Sequence, residues 1–167
     1  AVDWRRRVPE EYDAPAVVSV TDPKVLRSDV RRLTSSYDVA ILDGAARLQG
    51  MTGAILSVSD AVLVPVQPSA LDLWGTVEFL DLVTERVHAG TLRAAFVASR
   101  RDTRTTLAGE MDTALADAEL DVLPGTAQRV AYARSMSEGR TVLDGYDDKA
   151  AAEVRELLQD VAQLLES

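Results

Sequence analysis

Asp43 is the residue of this sequence whose type and position invite chemistry most directly. It follows Val39, Ala40, Ile41 and Leu42, a run too apolar and too short for anything but a strand buried on both faces. A carboxylate then stands at a strand's carboxyl end. Two chemistries use a carboxylate fixed at a low-dielectric sheet edge. It can hold Mg²⁺, directly or through its water shell, beside a nucleotide's phosphates, or it can itself accept a phosphoryl group. A solvated aspartate capping the next turn is the third reading, and a strand-end aspartate alone does not choose among them. A second polar loop, Gln67-Pro68-Ser69, follows another apolar run, Ala61 to Val66. His88 is the only histidine and lies in the last turn of a helical stretch, where the helix dipole explains it better than catalysis. One histidine and no cysteine leave no material for a disulfide framework or a thiolate metal site.

The elements that position these residues follow from periodicity. After Asp43, a Gly44-Ala45-Ala46 turn leads into a small-residue helix around Met51 to Val58 and then the strand Ala61 to Val66. Strand, helix, strand at this spacing is a βαβ unit. Its right-handed crossover brings the two strand ends to one edge of a parallel sheet, where ligands of open α/β folds bind. Asp43 and the Gln67-Pro68-Ser69 loop are expected at that crevice.

Upstream, Ala1 to Arg7 reads as the tail of a helix and Ala16 to Val20 as a short strand. Thr21-Asp22-Pro23 is a helix start, after which Val25, Leu26, Val30 and Leu33 recur at helical spacing, with Arg27, Arg31 and Arg32 mostly on the other side. Downstream, Leu71 to His88 is a helix ended by Gly90, and Leu92 to Ala98 is a third buried-type strand leading into Ser99-Arg100-Arg101. A helix is expected from Thr105-Thr106, a short strand at Asp121 to Leu123 stopped by Pro124-Gly125, and a packing helix from about Asp147. The alternation predicts an α/β fold, an open, mostly parallel sheet with helices on both faces.

Composition bounds the rest. At 167 residues the chain is expected to be a single domain spanning 1–167, and 47% hydrophobic with 27% charged residues is ordinary globular composition. A net charge of −9 opposes a surface that grips nucleic acid throughout, so any DNA contact is expected to be local. No apolar stretch has the length of a membrane span, and the chain reads as cytoplasmic, without a membrane partner.

Taken together, Tyr37-Asp-Val-Ala-Ile-Leu-Asp43-Gly44 and Ser59-Asp-Ala-Val-Leu-Val-Pro-Val-Gln-Pro-Ser-Ala-Leu-Asp-Leu-Trp-Gly75 resemble the ParA/MinD superfamily of deviant Walker ATPases, and within it the ParF-like plasmid-partition proteins. The stretches Phe96 to Leu107 and Arg129 to Leu143 are similar to later segments of the same family, in the same order. The resemblance implies an ATP-dependent partition protein in which Mg-ATP drives formation of a homodimer. That dimer would bind DNA without sequence preference, nucleoid-associated in the cell, and a centromere-binding ParB-type partner would stimulate hydrolysis. By the same resemblance Asp43 is the catalytic and metal-binding carboxylate of the Walker B motif, and Gly44 to Leu48 are the switch that senses the γ-phosphate. Gln67, Pro68, Ser69, Ser99 and Arg100 match positions near the nucleotide base and dimer face. Arg129, Arg134, Arg140 and Lys149 match candidate contacts to DNA phosphates, beside their plainer reading as surface cations.

One departure matters. The family's phosphate loop should precede Trp4, and no G-x-x-x-x-G-K-[ST] occurs in the sequence. Walker B cannot substitute for it, because the one binds the metal and the other the nucleotide. The expectation is an incomplete chain or a natural relative without the loop, binding ATP poorly alone. A non-enzymatic interaction module of the same fold is therefore the alternative. A receiver-like phospho-acceptor ranks last, since it wants paired acids after the first strand and a lysine after a late one, where the sequence offers Asp22 and Ala98-Ser99-Arg100.

Overall fold

The computed structural model describes residues 1–44, 50–67, 77–101, 115 and 120–167. They form two compact units, Ala1–Ser59 and Asp60–Ser167.

The first unit is helical. Helix α1 spans Val2–Arg5, α2 spans Pro23–Thr34 and α3 spans Met51–Val58. Asp22 caps α2: its backbone is extended, its Oδ1 accepts the Lys24 amide proton at 2.7 Å, and Pro23 follows at the first helical position. Both features are read directly from the Asp-Pro dipeptide, because a short acceptor satisfies an orphan N–H and proline has none to lose. The inward face of α2 buries Leu26 and Val30 against Met51 and Ala54 of α3, with Val20, Leu42, Ile55 and Val58 packed around them.

The sequence places strands at Ala16–Val20 and Val39–Leu42, and the structure corrects both. Neither segment is a strand; Val18 and Val39 are each 65% exposed and Ile41 is 90% exposed. β-structure is a property of pairs, since each strand leaves alternate N–H and C=O groups that only a neighbour can satisfy. The first unit has no strand among its described residues, so the apolar character of these runs alone does not make them strands. The βαβ unit expected from Val39 to Val66 accordingly lacks its first strand.

The second unit holds an α/β fold with an open parallel sheet. Its strands are β1 (Ala61–Val66), β2 (Arg93–Ala98) and β3 (Asp121–Leu123), in that spatial order and all parallel. Helix α4 (Val77–His88) connects β1 to β2. Ala61 pairs with Arg93 through to Val66 with Ala98, and Ala95 with Asp121 through to Val97 with Leu123. Five consecutive residues of β2, Ala94 to Ala98, are buried, so both of its faces are covered. By contrast, β1 alternates at its end, with Val64 and Val66 buried and Leu63 and Pro65 exposed. Pro65 is tolerated because β1 is the outer strand and needs to donate on one side only.

Helix α5 (Val130–Ser137) and a 3-10 turn (Val142–Asp144) lead to α6 (Asp148–Glu166). Asp147 caps α6 by accepting from the Lys149 and Ala150 amides at 2.9 and 3.0 Å. Both α4 and α6 pack against β2. The expected helix from Thr105, the front of the helix from Leu71, the switch residues after Gly44, and Pro68 and Ser69 lie outside the described residues, apart from Leu115, which is buried. No helix among the described residues is long and apolar enough to cross a membrane.

Candidate functional site

The carboxyl edge of the sheet is assembled in the second unit from three chain passages. Where β1 and β2 end side by side, the Ser99 amide donates to the Val66 carbonyl at 2.7 Å, which brings Gln67 and Ser99 to adjacent strand ends. Beyond β3 the chain returns to the same edge. Thr126 N–H donates to the Ala98 carbonyl at 2.8 Å, Arg101 N–H to the Thr126 carbonyl at 2.9 Å, and Gln128 N–H to the Arg101 carbonyl at 3.1 Å. A parallel bridge between Arg101 and Ala127 completes the pairing. This closeness needs glycine at 125, since a Cβ there would sit 1.8 Å from the Ala98 oxygen.

Arg100 takes a left-handed backbone, with φ +55°, the only described non-glycine residue to do so. An L side chain there costs roughly 1–2 kcal/mol. The bend is supported by its own side chain, whose Nε donates to Gln128 Oε1 at 2.9 Å. Gln67 and Arg100 are exposed and Ser99 is half-buried. The edge thus presents polar side chains on a closely hydrogen-bonded frame.

Behind this frame lies a cluster that residue spacing does not signal. Glu153 of α6 accepts from Arg129 at 2.6 Å (Nη2) and 3.0 Å (Nε), from the Ala127 amide at 3.1 Å and from the Tyr132 hydroxyl at 2.9 Å. Burial alone would push the Glu153 carboxyl up, but Arg129, Tyr132 and the Ala127 amide outweigh it and hold the group below its ordinary value. Burial and the Glu153 carboxylate raise the Tyr132 hydroxyl well above its usual value. Arg129, read from the sequence as a DNA contact, spends its guanidinium on this cluster and is 25% exposed.

The other cationic candidates are placed differently. Arg134 is exposed, pairs with Glu138 at 3.3 Å and lies 5.7 Å from the centre of the Tyr146 ring. The Tyr146 hydroxyl donates to the other Glu138 oxygen, and this bond, followed by Arg134, lowers the Glu138 pKa. Arg140 lines the same shallow surface hollow of about 400 Å³. Lys149 stands exposed in the first turn of α6.

Asp43 and Gly44 belong to the first unit. The Asp43 carboxylate is 68% exposed at the end of the unpaired Val39–Leu42 run and accepts from the Ala1 amino group at 3.0 Å. A Cβ on Gly44 would come within 3.2 Å of Ile55 Cδ1. Among the described residues no three His, Cys, Asp or Glu side chains gather to hold a metal ion. One exposed carboxylate is a single potential ligand for a nucleotide's Mg²⁺, and the geometry supports no catalytic step through that group.

Comparison with known proteins adds kinship to this geometry. Residues 12–93 match the family model described as an AAA domain. Over 165 residues the chain is 27% identical to maintenance of carboxysome distribution protein A from Halothiobacillus neapolitanus, covering 96% of this chain and 75% of that protein. The open parallel sheet, the matched domain and this relative agree at one level, and at that level, above the ParF-like branch, they support kinship with the ParA/MinD-like P-loop superfamily.

Proposed function

We propose that this chain is a ParA-type positioning protein, built as a single ParA-like domain across residues 1–167. It partitions a plasmid or another large cargo by ATP-driven homodimerisation, non-specific DNA binding on the nucleoid and a ParB-type partner that stimulates hydrolysis. The observation that carries this reading is the similarity over 96% of the chain to a protein named for maintaining carboxysome distribution, which is a positioning task. In this reading Asp43 holds the nucleotide's Mg²⁺, Gly44 opens the switch, and Gln67, Pro68, Ser69, Ser99 and Arg100 face nucleotide and dimer partner.

Titration of the chain with a fluorescent ATP analogue, with and without Mg²⁺, tests it. Mg-dependent binding that disappears in Asp43→Ala would support the ATPase reading for this chain. Absence of binding would overturn the ATPase reading for this chain. It would favour the second one, a non-enzymatic interaction module.

A further inference from the structure

The acidic character of the molecule is unevenly distributed. Residues 1–59 carry eight Lys or Arg against eight Asp or Glu, whereas residues 60–167 carry ten against nineteen. Within the neutral first unit, positive charge is gathered on α2, which holds Lys24, Arg27, Arg31 and Arg32 against Asp29 alone.

At 3.6 residues per turn, Lys24, Arg27 and Arg31 fall within an arc of about 60° and extend about 10 Å along the helix. All three are exposed. None of them has an ion-pair partner among the described residues. The acids nearby are otherwise engaged: Asp29 holds Arg32 at 3.3 Å and lies on another side of the helix, and Asp22 caps the first turn. Leu26 and Val30 lie on a different side of the helix, centred about 110° from these cations, in the packing with α3. By comparison, in the second unit Arg129 is held by Glu153 and Arg134 by Glu138.

We propose that the outward face of α2, through Lys24, Arg27 and Arg31, is a docking surface for the phosphate backbone of double-stranded DNA. The proposal gives a surface to the DNA contact of the function proposed above and rests on that reading. Three mobile cations in a row suit a regular line of phosphates, whose attraction is electrostatic and independent of base sequence. A lipid surface is less well matched. A membrane-lying helix needs an apolar face to insert beside its cations, and in α2 Leu26 and Val30 are used for packing, leaving only Val25 and Leu33 exposed.

The test is fluorescence anisotropy of the full chain, with and without Mg-ATP, on a labelled mixed-sequence duplex at salt concentrations from about 50 to 200 mM. Each phosphate contact contributes about 0.9 to the slope of log affinity against log salt, so three contacts predict a roughly 40-fold loss of affinity over that range. In Lys24→Gln/Arg27→Gln/Arg31→Gln the slope is expected to shrink by about 2.7. The charge-conserving Lys24→Arg/Arg27→Lys/Arg31→Lys should bind like the parent. Glutamine is nearly as good a helix former as lysine or arginine, and an unchanged thermal transition by circular dichroism shows that the triple variant is folded. Equal slope and affinity in the glutamine variant would overturn the proposal. So would absence of DNA binding by the parent chain, or capture by anionic phospholipid vesicles in preference to DNA. The ATP titration of Asp43→Ala is a separate readout, so failure of the α2 surface and failure of the positioning reading are told apart.

Discussion

At the scale of single residues, Glu153 gathers the most in the described structure. One carboxylate satisfies a guanidinium, a backbone amide and a phenol, and in doing so ties the chain after β3 to α6. Glu153→Ala would leave Arg129 and the Ala127 N–H without their acceptor in a partly buried place. A loss of roughly 2 kcal/mol is expected, seen as a fall in melting temperature of about 4–8 °C for a chain of this size. The pH dependence has a definite sign. The folded pKa of Glu153 lies below its ordinary 4.5, so its contribution is present above that pH and fades as pH falls through the lowered value. The gap between parent and Glu153→Ala should therefore narrow below about pH 4.5. Tyr132 runs the other way. Its folded pKa is raised above the ordinary 10.0, so its contribution is intact below pH 10 and lost as pH climbs beyond, a loss that Tyr132→Phe should not show. A gap that stayed constant across the acid range would contradict this assignment. None of the cluster is legible in the sequence, because Arg129 and Glu153 lie 24 residues apart and nothing local marks them as partners. Gly125 is half legible: the Pro-Gly pair announces a stop, but only the 1.8 Å approach to the Ala98 oxygen shows why glycine must stand there.

At the scale of elements, local signals are reliable where the element is stabilised locally. The strand Ala61–Val66, the helix Met51–Val58 and the strand Asp121–Leu123 have the bounds that their apolar periodicity and punctuation imply. The helix over Val130–Ser137 carries weaker periodicity, and the sequence alone does not announce it. Helix α2 is the clearest local case, and a test can be attached to its cap. Asp22→Ala removes the acceptor of the Lys24 amide while leaving Pro23 in place, and should cost about 1 kcal/mol. Asp22→Asn, which keeps an acceptor oxygen, should recover most of it. Thermal unfolding followed by circular dichroism measures both, and a full loss in the asparagine variant would mean that the charge rather than the acceptor matters.

At the scale of the whole molecule, the run Val39–Leu42 decides how much of the fold a sequence can specify alone. Its composition is that of a strand buried on both faces, yet Val39 is 65% and Ile41 90% exposed. Apolar character states what a segment would gain by burial, and only a neighbouring strand makes that burial possible. The two situations respond oppositely to a charge. For an Ile41 side chain standing in solvent, Ile41→Lys should change stability by no more than about 0.5 kcal/mol, and it should reduce self-association by removing apolar surface from the exposed run. If residue 41 were enclosed in a sheet, the same lysine would have to be desolvated or would break the packing, at a cost of several kcal/mol. Thermal unfolding and light scattering of the variant therefore measure whether this run is covered. An unchanged melting temperature with less scattering places Ile41 at the surface, and a collapse in stability would place it in a sheet. The answer also bears on Asp43, whose carboxylate is carried by this run and can be only as fixed in space as the run itself.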